Sequence, residues 1–336
     1  MEYRTFGNTS LRVSAVGIGC SRLGGTSTSD KEVLATLLGA FDRGINFYDT
    51  ADVYAQGQSE KFLGATFKRN RAAVVIATKA GYHLTAAGRL GTMLKPFLGP
   101  AIRLAAGLRR QAQRIRPTPQ DQSFSAQHLM AAIEGSLRRL QTDYLDIFQL
   151  HNPPSTVVER GEFIATLEHA KSQGKIRCYG ISCRRVADAE FCLLYPSISA
   201  VQIPINLLQF ENVLSFLELA KRKNVAVIAR QPFASGLLSR PTVSLKSRHF
   251  SLGEDAFREQ LERVRDFQFL ELANRRTIAQ AALQFVLQLS GVSVVVAGMS
   301  TRKHLDDNLA AAARPITQDE IAQIYVALGH QSVEVQ

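Results

Sequence analysis

The decapeptide INFYDTADVY, Ile45 to Tyr54, runs like a buried strand for four residues and then turns polar. A glycine, Gly44, precedes it, Ile45, Phe47 and Tyr48 are apolar or aromatic, and the run ends on Asp49, with a second phenol at Tyr54. Alone, it reads as a capped strand end followed by a surface aromatic. Two later stretches repeat the pattern: AVVIATK (Ala73–Lys79) and YLDIFQLH (Tyr144–His151) are apolar runs that stop on an ionisable residue. Five more runs have the same length and character: VGIGC (Val16–Cys20), IRCYGIS (Ile176–Ser182), ISAVQI (Ile198–Ile203), VAVIAR (Val225–Arg230) and VSVVVAG (Val292–Gly298). Amphipathic stretches fall between them, among them Asp30–Arg43, Ala126–Leu140, Val158–Gln173, Glu211–Lys223 and Thr277–Leu289. Strands alternating with helices at this spacing predict parallel βαβ units. Eight of them close most naturally into an α/β fold of the (β/α)8 TIM barrel type. The opening YRTFGNTSLRVS predicts a β-hairpin in front, with Asn8 near its turn. A doubly wound open sheet is the alternative, but it wants a G-x-G-x-x-G turn after the first strand. GIGCSRLGG has Arg22 at the third glycine position, and no helix begins before about Asp30.

At 336 residues the chain suits one barrel-type domain over 1–336 with long rim loops. A composition 46% hydrophobic and 21% charged predicts a soluble protein with a large core, and no apolar run approaches the roughly 20 residues that span a bilayer. The N-terminal stretch has no charged-then-apolar leader pattern. Cys20, Cys178, Cys183 and Cys192 form no C-x-x-C pair and no zinc spacing, so no metal is expected. Together these features predict a cytoplasmic protein. The net charge of +11 is concentrated: between Ala80 and Phe124 seven Lys/Arg face one acid, Asp121. No nucleic-acid-binding motif accompanies the charge, and nucleic acid is not an expected partner. Two regions interrupt the rhythm, the basic insertion at about 80–124 and the stretch from Pro232 to Gly253, which gives way to a charged helix around Glu254–Asp266. Both follow strands, so both belong on the C-terminal rim, where barrels build active sites.

In a barrel, Asp49, Lys79 and His151 end consecutive strands at one mouth, and Tyr54 follows in the loop. Burying Asp49 or Lys79 singly costs several kcal/mol, and pairing offsets much of that. A tyrosine with a reference pKa near 10 is a poor donor at neutral pH. A neighbouring ammonium favours the phenolate and lowers it. Asp49 would hold Lys79 charged, and an imidazole at His151, neutral or protonated, would orient a carbonyl. The set suits delivery of a proton to an oxygen while hydride reaches the adjacent carbon.

GINFYDTADVYAQGQSE, VIATKAGY, DYLDIFQLHNPP and VVVAGMSTRKHLDDNLAA resemble signature segments of the aldo-keto reductase family, and the resemblance extends over nearly the whole chain apart from the basic insertion. It implies a (β/α)8 barrel acting as an NAD(P)-dependent oxidoreductase on an aldehyde, ketone or sugar-type alcohol. It maps the family's catalytic tetrad onto Asp49, Tyr54, Lys79 and His151, with Tyr54 as proton donor. Ser182 and Gln202 fall where relatives bond the nicotinamide carboxamide. The asparagine usual after that serine is Cys183 here. ARQPFASGLL resembles the family's YSPLGSGLL and brings in Gly236 as a cofactor-binding position, with Arg230 in place of the aromatic that stacks under the nicotinamide ring. A planar guanidinium can also stack, and an ordinary rim arginine is the other reading. Gly298, Ser300, Thr301, Asp307 and Asn308 match the phosphate and adenosine pattern, where a loop entering a helix offers free N–H groups to an anion. Thr301 stands where Lys or Arg often binds the 2′-phosphate. Arg302, Lys303 or His304 could reach that phosphate, or could be solvated charges at a helix start. NADPH is the expected cofactor, with NADH possible, and a small carbonyl or sugar compound the expected partner.

Within the insertion, Leu98, Ile102, Ala105, Leu108, Ala112 and Ile115 recur at spacings of three and four, with Arg103, Arg110 and Arg114 on another face. This predicts a basic amphipathic helix packed on the rim, acting as a lid, or meeting a membrane or partner, the last being the least expected. A regulatory or membrane-associated binding subunit is the alternative to an enzyme. Substrate identity and oligomeric state are not legible.

Overall fold

Eight parallel strands, β3 (Val16–Gly19), β4 (Phe47–Asp49), β5 (Val75–Ala80), β6 (Leu145–His151), β7 (Ile176–Ser182), β8 (Ala200–Pro204), β9 (Ala226–Arg230) and β10 (Val292–Gly298), form a closed barrel in the order β10-β3-β4-β5-β6-β7-β8-β9. This is the (β/α)8 architecture the alternation predicts. The structure, a computed structural model, describes residues 1–23, 29–83, 122–239, 254–272, 275–299, 301–313 and 315–329. The amphipathic stretch at 98–115 lies outside them.

The antiparallel hairpin of β1 (Tyr3–Thr5) and β2 (Arg12–Ser14) closes the N-terminal end. Its turn is made by Gly7 as well as Asn8. Gly7 sits at φ +53°, and a Cβ there would meet the backbone N of Ala226 at 2.6 Å, so only glycine allows the hairpin to lie this close. Phe6, Leu11 and Val13 from the hairpin plug the barrel floor against Phe47, Ala77, Ile147, Cys178, Ile228 and Val294. Buried Asp146 ties three strands together near that end, accepting from the Ile76 N–H at 3.0 Å and pairing with Arg71 at 2.7 Å and Arg177 at 3.1 Å.

Successive strand residues alternate between barrel interior and helix layer. Following the floor residues upward by twos gives Phe47 then Asp49, Ala77 then Lys79, Ile147 then Gln149 and His151, Cys178 then Gly180 and Ser182, Ala200 then Gln202, and Ile228 then Arg230. The interior therefore turns from apolar to polar towards the C-terminal mouth. A period-2 register carries every polar residue of the mouth on the same inward face as the apolar plug.

Five of the described helices outside start where a hydroxyl satisfies a free backbone N–H. Ser29 caps α1 (Asp30–Phe41), Ser125 caps Ala126–Leu140, Thr277 caps Ile278–Gln288, Thr301 caps Arg302–Ala312 and Thr317 caps Gln318–Ala327. The expected helix over Val158–Gln173 is two helices, Ser155–Arg160 and Phe163–Ser172. Gly161, at φ +65°, ends the first of them, and a left-handed residue cannot continue a right-handed helix. Apolar spacing alone carries straight through such a cap. The charged segment after the Pro232 stretch forms the helix Glu254–Arg265, as expected.

Candidate active site

The turn that carries Tyr54 is backed by a buried hydrogen-bond network. Thr50 Oγ1 and Ser59 Oγ lie 2.8 Å apart, and Ser59 donates to the Cys20 carbonyl at 3.0 Å. Glu60 accepts from Thr78 and from the Arg139 guanidinium, each at 2.6 Å, joining α2 (Gln58–Phe67) to β5 and to the helix Ala126–Leu140. Against this support the backbone after Tyr54 is forced. Ala55 and Gln56 adopt φ +47° and +56°, a left-handed conformation that side chains with a Cβ rarely take.

Asp49, Tyr54, Lys79 and His151 meet at the mouth. Lys79 Nζ donates to Asp49 Oδ1 and to the Thr50 carbonyl, both at 2.7 Å, and is 1% exposed. Two of its three N–H groups are thus used, and one remains for the site. The same ammonium lies 5.3 Å from the Tyr54 ring centroid. The His151 ring stands edge-on to Tyr54 at 5.7 Å and to Tyr82 at 5.0 Å between centroids. Gln122 donates to the His151 and Asn152 carbonyls at 3.0 and 3.1 Å and forms a β-bridge with Tyr82. The two ends of the basic insertion therefore meet beside His151.

Burial is the largest influence on the Lys79 ammonium and pushes it down, but the Asp49 carboxylate and Tyr54 together outweigh it, and the net shift is upward. Burial drives His151 well below the ordinary imidazole value, helped by Lys79, Arg230 and Arg184, so it is neutral at physiological pH. Its Nδ1 is buried with no partner among the described residues. For Tyr54, burial raises the phenol pKa; Lys79 and Arg230 pull it down, Asp49 opposes them, and the net shift is upward. The ammonium acts on the phenol in the expected direction without overcoming burial.

The proposed cofactor residues divide into two groups. Ser182 Oγ donates to Gln202 Oε1 at 2.9 Å, and Gln202 Nε2 donates to Asp49 Oδ1 at 2.8 Å, so these two residues are continuous with the Asp49–Lys79 pair. Cys183 turns its thiol to Cys192, 3.7 Å away, and cannot replace an amide at the mouth. Arg230 reaches across from β9, donating to the Cys183 carbonyl at 3.0 Å and to Asn152 Oδ1 at 3.4 Å, while its buried Nε has no partner among the described residues. Gly236 lies at φ +108° in the turn after β9. The second group sits at the end of β10, whose Val296 is paired with Arg230. Gly298 has open space over its Cα, Thr301 caps the following helix, Arg302, Lys303 and Asp307 are exposed, and His304 lies on the first turn. Asn308 is buried, and its Nδ2 has no partner among the described residues. Ser300 lies outside the described residues. These features fit a nicotinamide dinucleotide: a polar mouth at one end, a helix N-terminus with basic side chains at the other, and the unpartnered Arg230 Nε and Asn308 Nδ2 along the way. Sequence reading missed Thr50, Tyr82 and Arg184 as members of the site. Only Tyr82 carried a signal, its place three residues after Lys79.

A family model described as the aldo/keto reductase family matches residues 15–327. The uncharacterized oxidoreductase YqkF of Bacillus subtilis (strain 168) is 29% identical, over 96% of this chain and 94% of that protein. The L-galactose dehydrogenase of Arabidopsis thaliana is 28% identical, over 93% of this chain and 88% of that protein. The holo form of the aldo-keto reductase AKR11C1 from Bacillus halodurans superposes with a TM-score of 0.75 at 27% identity, covering 99% of this chain and 97% of that one.

Proposed function

The chain belongs to the aldo/keto reductase family, and from that premise we propose an NAD(P)H-dependent carbonyl reductase, running in reverse as an alcohol dehydrogenase, with NADPH preferred. The family supports oxidoreductase chemistry on small carbonyl or sugar-type compounds. The relatives named above are oxidoreductases by name, which favours an enzyme over a regulatory or membrane-associated subunit. Among the described residues no helix is long and apolar enough to cross a membrane. We take 1–336 as one barrel unit carrying an insertion.

The single observation that carries the reading is the Lys79 ammonium, held between Asp49 Oδ1 and the Thr50 carbonyl and facing the Tyr54 ring, with neutral His151 edge-on to the same ring. The bound cofactor supplies the hydride in reduction. Ser182, Gln202 and Arg230 would hold its nicotinamide end, Gly236, Gly298, Ser300, Thr301 and Asn308 its phosphates and adenosine, and Arg302 or Lys303 a 2′-phosphate. Tyr54 gives its phenolic proton to the carbonyl oxygen as that oxygen gains charge. The free N–H of Lys79 stabilises the phenolate left behind, and Asp49 keeps Lys79 protonated and in place. His151, uncharged, orients the carbonyl without competing for the proton. The phenolate then recovers a proton from solvent. In oxidation Tyr54 takes the alcohol proton.

Calorimetric titration with NADPH and NADH, followed by turnover of a panel of aldehydes, ketones and sugars with each, tests this. We expect tighter binding of NADPH and turnover of at least one aldehyde. Binding of neither dinucleotide, or binding without turnover across the panel, contradicts the reading.

A further inference from the structure

The charges around the mouth do not balance. Asp49 is the carboxylate that meets the catalytic residues, and its Oδ1 is occupied by Lys79 and Gln202. Arg230 is bound to two neutral oxygens. Arg184, in the loop after β7, has no ion pair among the described residues. Its Nη2 donates to the Tyr82 hydroxyl at 3.0 Å. The neighbouring Arg185 does find a carboxylate, Asp188, at 2.8 Å. Arg184 is exposed and free to form such a pair, yet it leans on a phenol whose ring is 5.0 Å from His151. Because the Tyr82 oxygen accepts from Arg184, its own O–H is left to donate. Tyr82 is 6% exposed and its backbone is paired with Gln122, so the phenol is a fixed donor.

Two donors of complementary kind thus stand beside the carbonyl-orienting histidine: a planar guanidinium fork and a rigid phenolic O–H. A carboxylate has four acceptor sites and one negative charge, and it can take both. We propose that Arg184 and Tyr82 form a carboxylate subsite, and that the substrate is a carbonyl compound, or its alcohol, bearing a carboxylate on the side of the carbonyl facing His151. This rests on the reductase reading above. The exposed guanidinium is screened by water, so discrimination is expected at about tenfold.

The test uses the full-length protein with NADPH and two aldehydes of matched shape, 4-carboxybenzaldehyde and its methyl ester. The subsite predicts that kcat/KM favours the acid over the ester by about tenfold or more. It predicts that Arg184→Met collapses that ratio, that Tyr82→Phe lowers it, and that Arg184→Lys, which keeps the charge, retains part of it. Equal turnover of acid and ester, or a preference that survives Arg184→Met, overturns the subsite and leaves the reductase reading standing. If neither aldehyde turns over, binding decides. 4-(Hydroxymethyl)benzoate titrated into the protein with NADP+ should bind about tenfold tighter than its methyl ester, and Arg184→Met should abolish the difference. That result supports the subsite whether or not the reductase reading survives the wider panel, and equal binding of acid and ester overturns the subsite.

Discussion

His151 is a buried histidine ringed by cationic side chains. Buried beside Lys79 and near Arg230 and Arg184, it resists protonation in the folded chain. Above its ordinary value of 6.5 the folded and unfolded chains both hold it neutral, and it adds no pH dependence. Below 6.5 the unfolded chain takes up a proton that the folded chain refuses, so stability falls as pH falls, by at most about 1.4 kcal/mol per pH unit for one site. We predict that His151→Asn loses less melting temperature than the wild type between pH 7 and pH 5.5. Identical losses would show that His151 is not the buried neutral base described here. That Asp49, Lys79 and His151 share one mouth was legible because each ends an apolar run, which a chain tolerates only where charges pair or work, whereas Tyr54, in the loop beyond, was singled out by the family resemblance. The Arg184–Tyr82 contact was not legible, since it joins residues 102 positions apart and has no periodic signature.

At the scale of elements, the strands were legible almost to the residue and the helices less so. Strand ends are marked by the change from apolar to polar, and the barrel places that change at the mouth. Helix breaks depend on single backbone conformations such as Gly161, which apolar periodicity does not record. Strain gathers on the same rim: Ala55, Gln56, Asn152, Gln231, Ala234 and Ser235 all have positive φ in loops after barrel strands. Ala55 has no side-chain hydrogen bond to compensate, and glycine would adopt its conformation without a Cβ clash. We predict that Ala55→Gly raises stability by about 0.5–1 kcal/mol, read as a higher melting temperature. A lower one would mean that the left-handed turn carries no strain. The helix Arg302–Ala312 offers a second test. If Arg302 or Lys303 reads a 2′-phosphate, neutralising both should weaken NADPH binding at least about tenfold more than NADH binding, measured by titration. Equal losses would remove both from that role.

Across the whole molecule, the division of labour follows the barrel axis. The hairpin and the apolar floor supply stability at one end, and the polar inward positions of the same strands supply the site at the other. The basic insertion joins the barrel at Tyr82 and Gln122, next to His151, so the segment with the most concentrated charge enters and leaves beside the site. This was foreseeable from its position after Lys79. The central claim is that Tyr54 delivers the proton while the rest of the mouth holds cofactor and carbonyl. Tyr54→Phe removes one oxygen and keeps the ring against Lys79 and His151. The most direct measurement is therefore cofactor affinity and aldehyde reduction on the same Tyr54→Phe preparation. We predict an unchanged dissociation constant for NADPH with carbonyl reduction lowered about 10²–10⁴-fold. Near-normal reduction by that variant would contradict it.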